Sequence, residues 1–525
     1  MESGARMGIR RREHLAPLCV GWSALVIAAL VATGCAAHAS KVNTGSWREL
    51  RTDRILLVTD LDADDARERA LEFERLGSAL SELYGLVVTL RPAQPTPIRV
   101  IHLASCKELR RRYGEEVGGF VTQSIDFSRD RLIVTCDHDA NIRNELVVHE
   151  LTHDLNHRYL ADLPPWLEEG LATYYQTLQL RDGYAVVGLR PRMDARYWRG
   201  VAILPSMQEL IGMSQEQLVS LQARRGYFAA WKLTHLLANG SEDYNRRFRK
   251  MVAAFGEGKG KTDAFTAAFG ELAGRLPGEY GTYHLRRELN TWTVDYRAAK
   301  AGIRSERSLR AGEVHALFIE LRPSRGDIAE IRAGIQELLD RVERDDPSWH
   351  RRLYWRALVK YRFGSNGTEP VADLLRRYLA LEPNDANAWR ALVSVEIDGL
   401  LPEGHLGVEP QPPAGLEQME KDVHALLRVA STPSQLNLIG WYYALRRRPE
   451  TGLNFAVRAL QAEPGFSDCW DTLALLYYHA GRAADAVKAQ KRAIGLMAER
   501  GGGASAVVRA RLRHYEQAAA HAAGK

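Results

Sequence analysis

A chain of 525 residues with 46% hydrophobic and 26% charged residues has enough apolar content for two or more cored domains. Its net charge of +6 is slight, and no basic stripe with interleaved aromatics occurs, which argues against nucleic acid as a partner. The five cysteines include no Cys-x-x-Cys pair, so neither dithiol redox chemistry nor a zinc ribbon finds support.

Arg6, Arg10, Arg11 and Arg12 precede an apolar run from Leu15 to Val31, which ends in Ala32-Thr33-Gly34-Cys35. A basic start, an apolar stretch and a small-residue exit make a bacterial secretory signal, so residues 1–40 are set apart from the fold. The exit resembles a lipobox, which implies lipidation of Cys35 and a lipoprotein of the cell envelope facing periplasm or exterior. Ala37-His38-Ala39 offers a rival site for ordinary cleavage, and a retained membrane anchor is a third arrangement. Further along, Cys106 and Cys136 lie near expected strand ends, where an oxidising compartment leaves two choices, a disulfide or isolated buried thiols.

Arg54-Ile55-Leu56-Leu57-Val58 and Arg131-Leu132-Ile133-Val134-Thr135-Cys136 read as strands. The spacing of Leu146, Val147, Leu151 and Leu155 then predicts a helix over residues 144–159. That helix carries His149-Glu150-Leu151-Thr152-His153. Residues four apart share a helix face, so both histidines can turn a ring nitrogen toward one zinc ion. Glu150 stands beside them, placed to polarise a water at the metal and shuttle its proton. Leu163-Pro164-Pro165 makes a turn, and a second helix starts near Trp166.

A catalytic zinc takes three protein ligands and keeps one position open. His157 lies one turn past His153, roughly 6 Å further along the axis, and reads instead as a surface histidine or one supporting a ligand from behind. Glu168 and Glu169 on the second helix remain as candidates. Asp154 either steadies a ligand ring by a hydrogen bond or is an exposed carboxylate.

His149-Glu150-Leu151-Thr152-His153 followed by Trp166-Leu167-Glu168-Glu169-Gly170-Leu171-Ala172 resembles the gluzincin pattern of zinc aminopeptidases and of bacterial peptidase-MA-like proteins. In that pattern the glutamate directly before glycine is the third ligand, which implies Glu169 and leaves Glu168 as a solvated helix charge. Leu171 departs from the usual aromatic. The resemblance covers roughly residues 46–290, with Ser46-Trp47, Gly118-Gly119-Phe120 and Arg225-Gly226-Tyr227-Phe228-Ala229-Ala230-Trp231 fitting the layout. It also implies a tyrosine at the oxyanion; Tyr227 is the candidate, with core packing against Phe228 and Trp231 as its other reading. Tyr174 and Tyr175 read as packing residues. The Gly-x-Met-Glu-Asn segment that grips a substrate amino terminus is missing upstream of His149, which turns the expectation from exopeptidase to endopeptidase.

Trp355 and Trp389, and Leu436 and Trp470, stand 34 residues apart. Around them, Leu358, Tyr361 and Pro383, then Leu392, then Ile439, Gly440, Tyr443, Ala456, Ala459 and Pro464, then Leu473, Ala474, Tyr477, Gly481, Ala486 and Ala493 mark four units. The pattern resembles the tetratricopeptide family, which implies paired helices and a peptide- or protein-binding groove. Residues 401–415, rich in Pro and Gly, interrupt the array as a loop, and Ala504 to Ala520 suits a capping helix. Arg446-Arg447-Arg448 reads as a solvated helix end.

The expected fold class is therefore an α+β zincin-like metallopeptidase domain followed by an all-α tetratricopeptide-like helical repeat domain. Their bounds are residues 41–295 and 351–500, with a helical linker or degenerate repeat over 296–350 and a capping helix or tail over 501–525. The expected function is an exported zinc metallopeptidase. His149, His153 and Glu169 hold Zn2+, Glu150 and Tyr227 act on a peptide or protein substrate, and the repeats bind substrate or a protein partner. Two alternatives stand beside it: a non-catalytic envelope scaffold acting through the repeats, and a zinc site acting on something other than a peptide.

Overall fold

The computed structural model describes residues 45–523 except 88–96, 114–118, 124–130, 138–139, 161–162, 193–202, 222–224, 257–260, 298–300, 322–326, 365–368, 403, 410 and 500–502. The expected signal segment and Cys35 lie outside the described residues. Nine strands are described: β1 (Arg48–Arg51), β2 (Ile55–Thr59), β3 (Ile98–Leu103), β4 (Gly119–Gln123), β5 (Arg131–Cys136), β6 (Gln179–Arg181), β7 (Tyr184–Val187), β8 (Trp292–Asp295) and β9 (Ser305–Ser308). Six of them form a mixed sheet in the order β4-β5-β3-β2-β1-β9, and β6-β7-β8 form a small second one. Within the large sheet β2, β3 and β5 run parallel, with Ile55 opposite Ile98 and Ile101 opposite Val134. β1, β4 and β9 pair antiparallel at its flanks.

Parallel strands covered on both faces read as near-continuous apolar runs; β2 and the middle of β5 do, while β3 is broken by Arg99 and His102. Leu57, Val100 and Ile133 enter one core with α1 (Ala63–Gly85), α3 (Ala140–Tyr159) and α4 (Pro165–Tyr175). Val58, Ile101, Leu132 and Val134 point the other way. Between β3 and β4 lies α2 (Cys106–Tyr113), whose Cys106 is joined by a disulfide to Cys136 at the end of β5, with 5.0 Å between their Cα atoms. Of the two choices the sequence leaves open for these cysteines, the structure takes the bridge. Past α4 come α5 (Met207–Gly212), α6 (Gln215–Ser220), α7 (Arg225–Asn239), α8 (Glu242–Gly256), α9 (Lys261–Phe269) and α10 (Leu276–Thr282).

The second sheet face is covered in part by α2, through Leu109, and otherwise by helices from beyond residue 310. α11 (Ala311–Glu320) and α12 (Ile328–Asp345) bring Val314, Phe318, Leu338 and Val342 onto it, and that core continues into α13 (Arg352–Phe363) and α14 (Val371–Leu381). Sheet and helical array are thus fused through one core, and the sheet takes its last strand, β9, from residues 305–308, past the expected boundary at 295.

The array goes on with α15 (Ala386–Leu400), α16 (Glu420–Val429), α17 (Pro433–Leu445), α18 (Pro449–Ala462), α19 (Ser467–His479), α20 (Ala483–Glu499) and α21 (Ala506–Ala523). It is an all-α repeat of helical hairpins. Its periodic tryptophans join the units, since Trp389 Nε1 donates to the Pro383 carbonyl and Trp470 Nε1 to the Pro464 carbonyl, both at 2.8 Å. Each bond ties the start of one hairpin to the end of the hairpin before. Gly440 and Gly452 admit close helix approach; a Cβ on Gly452 would lie 2.4 Å from Leu476 Cδ2. The arginine cluster is not simply solvated, since Arg448 faces Glu420 and Arg447 Nη1 lies 3.3 Å from His479 Nδ1. Among the described residues, no helix is long and apolar enough to cross a membrane.

Candidate metal centre

Helix α3 lies beneath the sheet with Val147, Val148, Leu151 and Leu155 in the core, which leaves His149 and His153 facing α4. Pro164 and Pro165 start α4 where a missing N–H costs nothing, and nearly the whole of that helix is buried. Gly170 explains how it can be. A Cβ there would lie 2.0 Å from Thr234 Oγ1 and 2.8 Å from the Ala230 carbonyl, so only glycine lets α7 come this close.

His149, His153 and Glu169 converge in this packing, the three acting as one group of possible metal ligands. His149 Nε2 and His153 Nε2 are 3.2 Å apart, and Glu169 Oε2 lies 3.6 and 3.5 Å from them. Ligand atoms on a tetrahedral ion with arms of about 2.05 Å stand about 3.3 Å apart, close to all three edges. The carboxylate distances are too long for hydrogen bonds, and Glu169 Oε2, on a residue only 1% exposed, accepts none. A buried carboxylate oxygen facing two imidazole nitrogens at these distances suits a cation. The donor set, two imidazoles and one carboxylate, suits zinc.

The surroundings hold each ligand in place. Gln176 Oε1 can only accept, so His149 Nδ1, 2.9 Å away, carries the proton and Nε2 presents its lone pair inward. Gln215 Nε2 on α6 donates to Glu169 Oε1 at 2.9 Å, turning the other oxygen toward the histidines. A capping box between Ser214 and Gln217 starts that short helix, and Gly226, whose Cβ would meet the Leu218 carbonyl at 2.2 Å, lets it rest on α7. Glu168 corrects the sequence reading. It is no solvated charge: its Oε1 lies 3.0 Å from His157 Nε2 and 3.5 Å from His153 Nδ1, behind the ligand. His157 therefore supports Glu168 and does not join the ligands. Asp154 does neither thing expected of it; it is buried and paired with Arg158 at 2.5 Å.

Glu150 is 7% exposed, and burial pushes its carboxyl above the usual range against the pull of the two histidines. Burial also works against the Glu169 carboxylate, but His153 and His149 outweigh it and hold the group at about 2. The buried ring of Tyr227 sits 6.3 Å from that of His149, while Phe228 and Trp231 pack against each other in the core. Tyr174 is a packing residue with its hydroxyl on Asn239, in keeping with its place after Glu169 on the same helix.

Gln176 and Gln215 are not legible as site residues in the sequence. Gln176 stands seven residues after Glu169, hence on the same helix face, and that spacing is the one signal available for it. Gln215 carries none, because its partner is 46 positions away.

No protein-family model matches this sequence, and no curated protein matches it either. Solved structures similar to it include MamA, 14% identical over 33% of this chain and 92% of that one, with a TM-score of 0.26. The thermophilic TPR protein TTC0263 of Thermus thermophilus is 17% identical over 39% of this chain and 97% of its own, with a TM-score of 0.28. The TPR domain of P58(IPK) is 11% identical over 73% and 95%, with a TM-score of 0.21. At scores this low the likeness says nothing of activity or partners.

Proposed function

We propose that the chain is a zinc-dependent hydrolase of peptide bonds, with His149, His153 and Glu169 as ligands. The observation that carries the reading is the triangle of ligand atoms with edges of 3.2, 3.6 and 3.5 Å, one corner of which is a buried carboxylate oxygen that accepts no hydrogen bond. Zinc bound there would supply a Lewis acid that lowers the pKa of a water and polarises the substrate carbonyl. Glu150, next to His149 and buried, would take the proton of the attacking water and return it to the leaving amine. Tyr227 would donate its hydroxyl to the oxyanion from the side of His149. The Cys106–Cys136 bridge supports an oxidising, extracytoplasmic location, in keeping with the expected lipid anchor on Cys35.

The helical array favours a second reading, an interaction or scaffold protein that needs no catalysis. Metal content separates the two. Purified protein should hold about one zinc per chain, and Glu169→Ala should lose it. Glu150→Gln should keep the metal and the melting temperature yet lose roughly a hundred- to ten-thousandfold in peptide cleavage. A folded, zinc-supplied wild type that takes up no metal would sink the hydrolase and leave the scaffold.

A further inference from the structure

One segment of the array stands outside its period. Residues 401–419 are inserted between α15 and α16, inside a single hairpin, and residues 405–409 turn back onto the array. Leu406 and Gly407 lie against the face formed by α17, α19 and α21, the alternate helices of the following units. The Leu406 carbonyl accepts from Arg511 Nε at 2.7 Å, and the Gly407 carbonyl from His479 Nε2 at 2.9 Å. Arg511 is itself fixed by an ion pair to Asp471 and lies 4.8 Å above the Trp441 ring. Gly407 is buried at φ +80, where a Cβ would fall 2.8 Å from Leu475 Cδ2 and 3.7 Å from Leu445 Cδ2. Val408 packs on the array core. Glu409 Oε1 accepts from the Leu406 amide at 2.7 Å and keeps the segment turned.

The array departs from its own period to make these contacts. At the end of α19 the chain turns through Gly481 at φ +74; the position 34 residues earlier, after α17, holds Arg447 at φ +55. A left-handed conformation disfavours arginine, which needs a compensating contact. Arg447 Nη1 supplies it by facing His479 Nδ1 at 3.3 Å. That leaves the other ring nitrogen of a neutral histidine to donate to Gly407. Burial and the Arg447 charge keep His479 neutral, at about 4.

We propose that residues 404–409 are an internal ligand filling the peptide-receiving face of the array, and that a partner in extended form competes for the same donors. Arg511 and His479 hold main-chain carbonyls, which any peptide offers. The tight passage between Leu445 and Leu475 selects a glycine or similarly small residue, with an apolar neighbour on each side and an acidic residue following. The partner is therefore a peptide segment of that chemistry, and the array is closed to it while the internal segment is seated. This goes beyond the hydrolase reading and needs no metal.

The test uses the full chain and a fluorescent synthetic peptide spanning residues 401–413. A variant with residues 404–409 replaced by glycine and serine at equal length should bind it at least about tenfold more tightly than wild type, since self-occupancy divides the apparent affinity. Arg511→Gln in that variant should reverse the gain. Equal binding to wild type and variant, or no binding by a variant that melts as wild type does, overturns the proposal. Should the variant not fold, hydrogen exchange of segment 404–409 in wild type decides. Excess peptide should speed it, and unchanged protection rejects the idea.

Discussion

The two halves of the molecule place polar side chains by opposite rules. Around α3 and α4 each supporting contact is made once, across 11 to 46 positions of chain: Gln176 behind His149, Gln215 behind Glu169, His157 behind Glu168. In the array one contact is used again, tryptophan to the carbonyl of the preceding unit's proline, at the same 2.8 Å in two places. A period builds a fold from few decisions, so its information lies in its exceptions, the 401–419 insertion and Arg447. A site built without a period is all exception, and each of its residues must be placed by a separate packing event.

Glycine gives the sharpest way to break this contrast. Gly170→Ala drives a methyl into Thr234 and the Ala230 backbone and should destabilise the chain by about 3 kcal/mol in urea unfolding, with loss of metal binding. Gly481→Ala meets nothing within 4 Å and bears only the cost of a left-handed residue, about 1 kcal/mol. Equal losses would mean that α4 and α7 can part as easily as a turn can relax. Next in size is Gln176→Leu, which frees the His149 ring and should weaken zinc roughly 10- to 100-fold in a chelator competition while the melt stays put. An unchanged affinity would show that the ring needs no support from behind.

Lys232 offers a test by pH. It is buried on α7 with its amine 3.7 Å above the Tyr280 ring, and burial brings it from 10.5 down to about 8. Below that value both folded and unfolded chains hold the proton, and the fold bears the charge. Between about 8 and 10.5 only the unfolded chain holds it, so the stability of wild type climbs relative to Lys232→Met. The variant should therefore be the more stable by about 2 kcal/mol at low pH, with the gap closing toward pH 10.5. A gap constant with pH would show a lysine reached by water. Smallest are Trp389→Phe and Trp470→Phe, each expected to cost about 1 kcal/mol for one lost hydrogen bond. Clearly different losses would show that the array is less uniform than its period.

The helix of His149 and His153 and the strand before it are legible in the sequence because their signals are local: an apolar stripe with the two histidines on its other face, and the run from Arg131 to Cys136. The repeats are legible because a period averages over many weak choices. β1 and β9 are not; each is a four-residue strand, and β9 reads Ser-Glu-Arg-Ser with every side chain exposed. Their pairing is set by chain closure across more than 250 positions, which leaves no mark on either segment. Glu168 misleads for a related reason, since a carboxylate on a helix looks solvated until the neighbouring helix that buries it is known.

The sheet's two faces also differ in when they can be finished. Leu57, Val100 and Ile133 meet α1 and α3 soon after they are made. Val58, Ile101, Leu132 and Val134 wait for Val314 to Val342, nearly 200 residues further on. At about 5–20 residues per second, that is a delay on the order of ten to forty seconds in which the face has only the short α2 over part of it. Until its own later helices arrive, a chain built this way keeps most of that face open; halted at residue 295, it would keep it open for good.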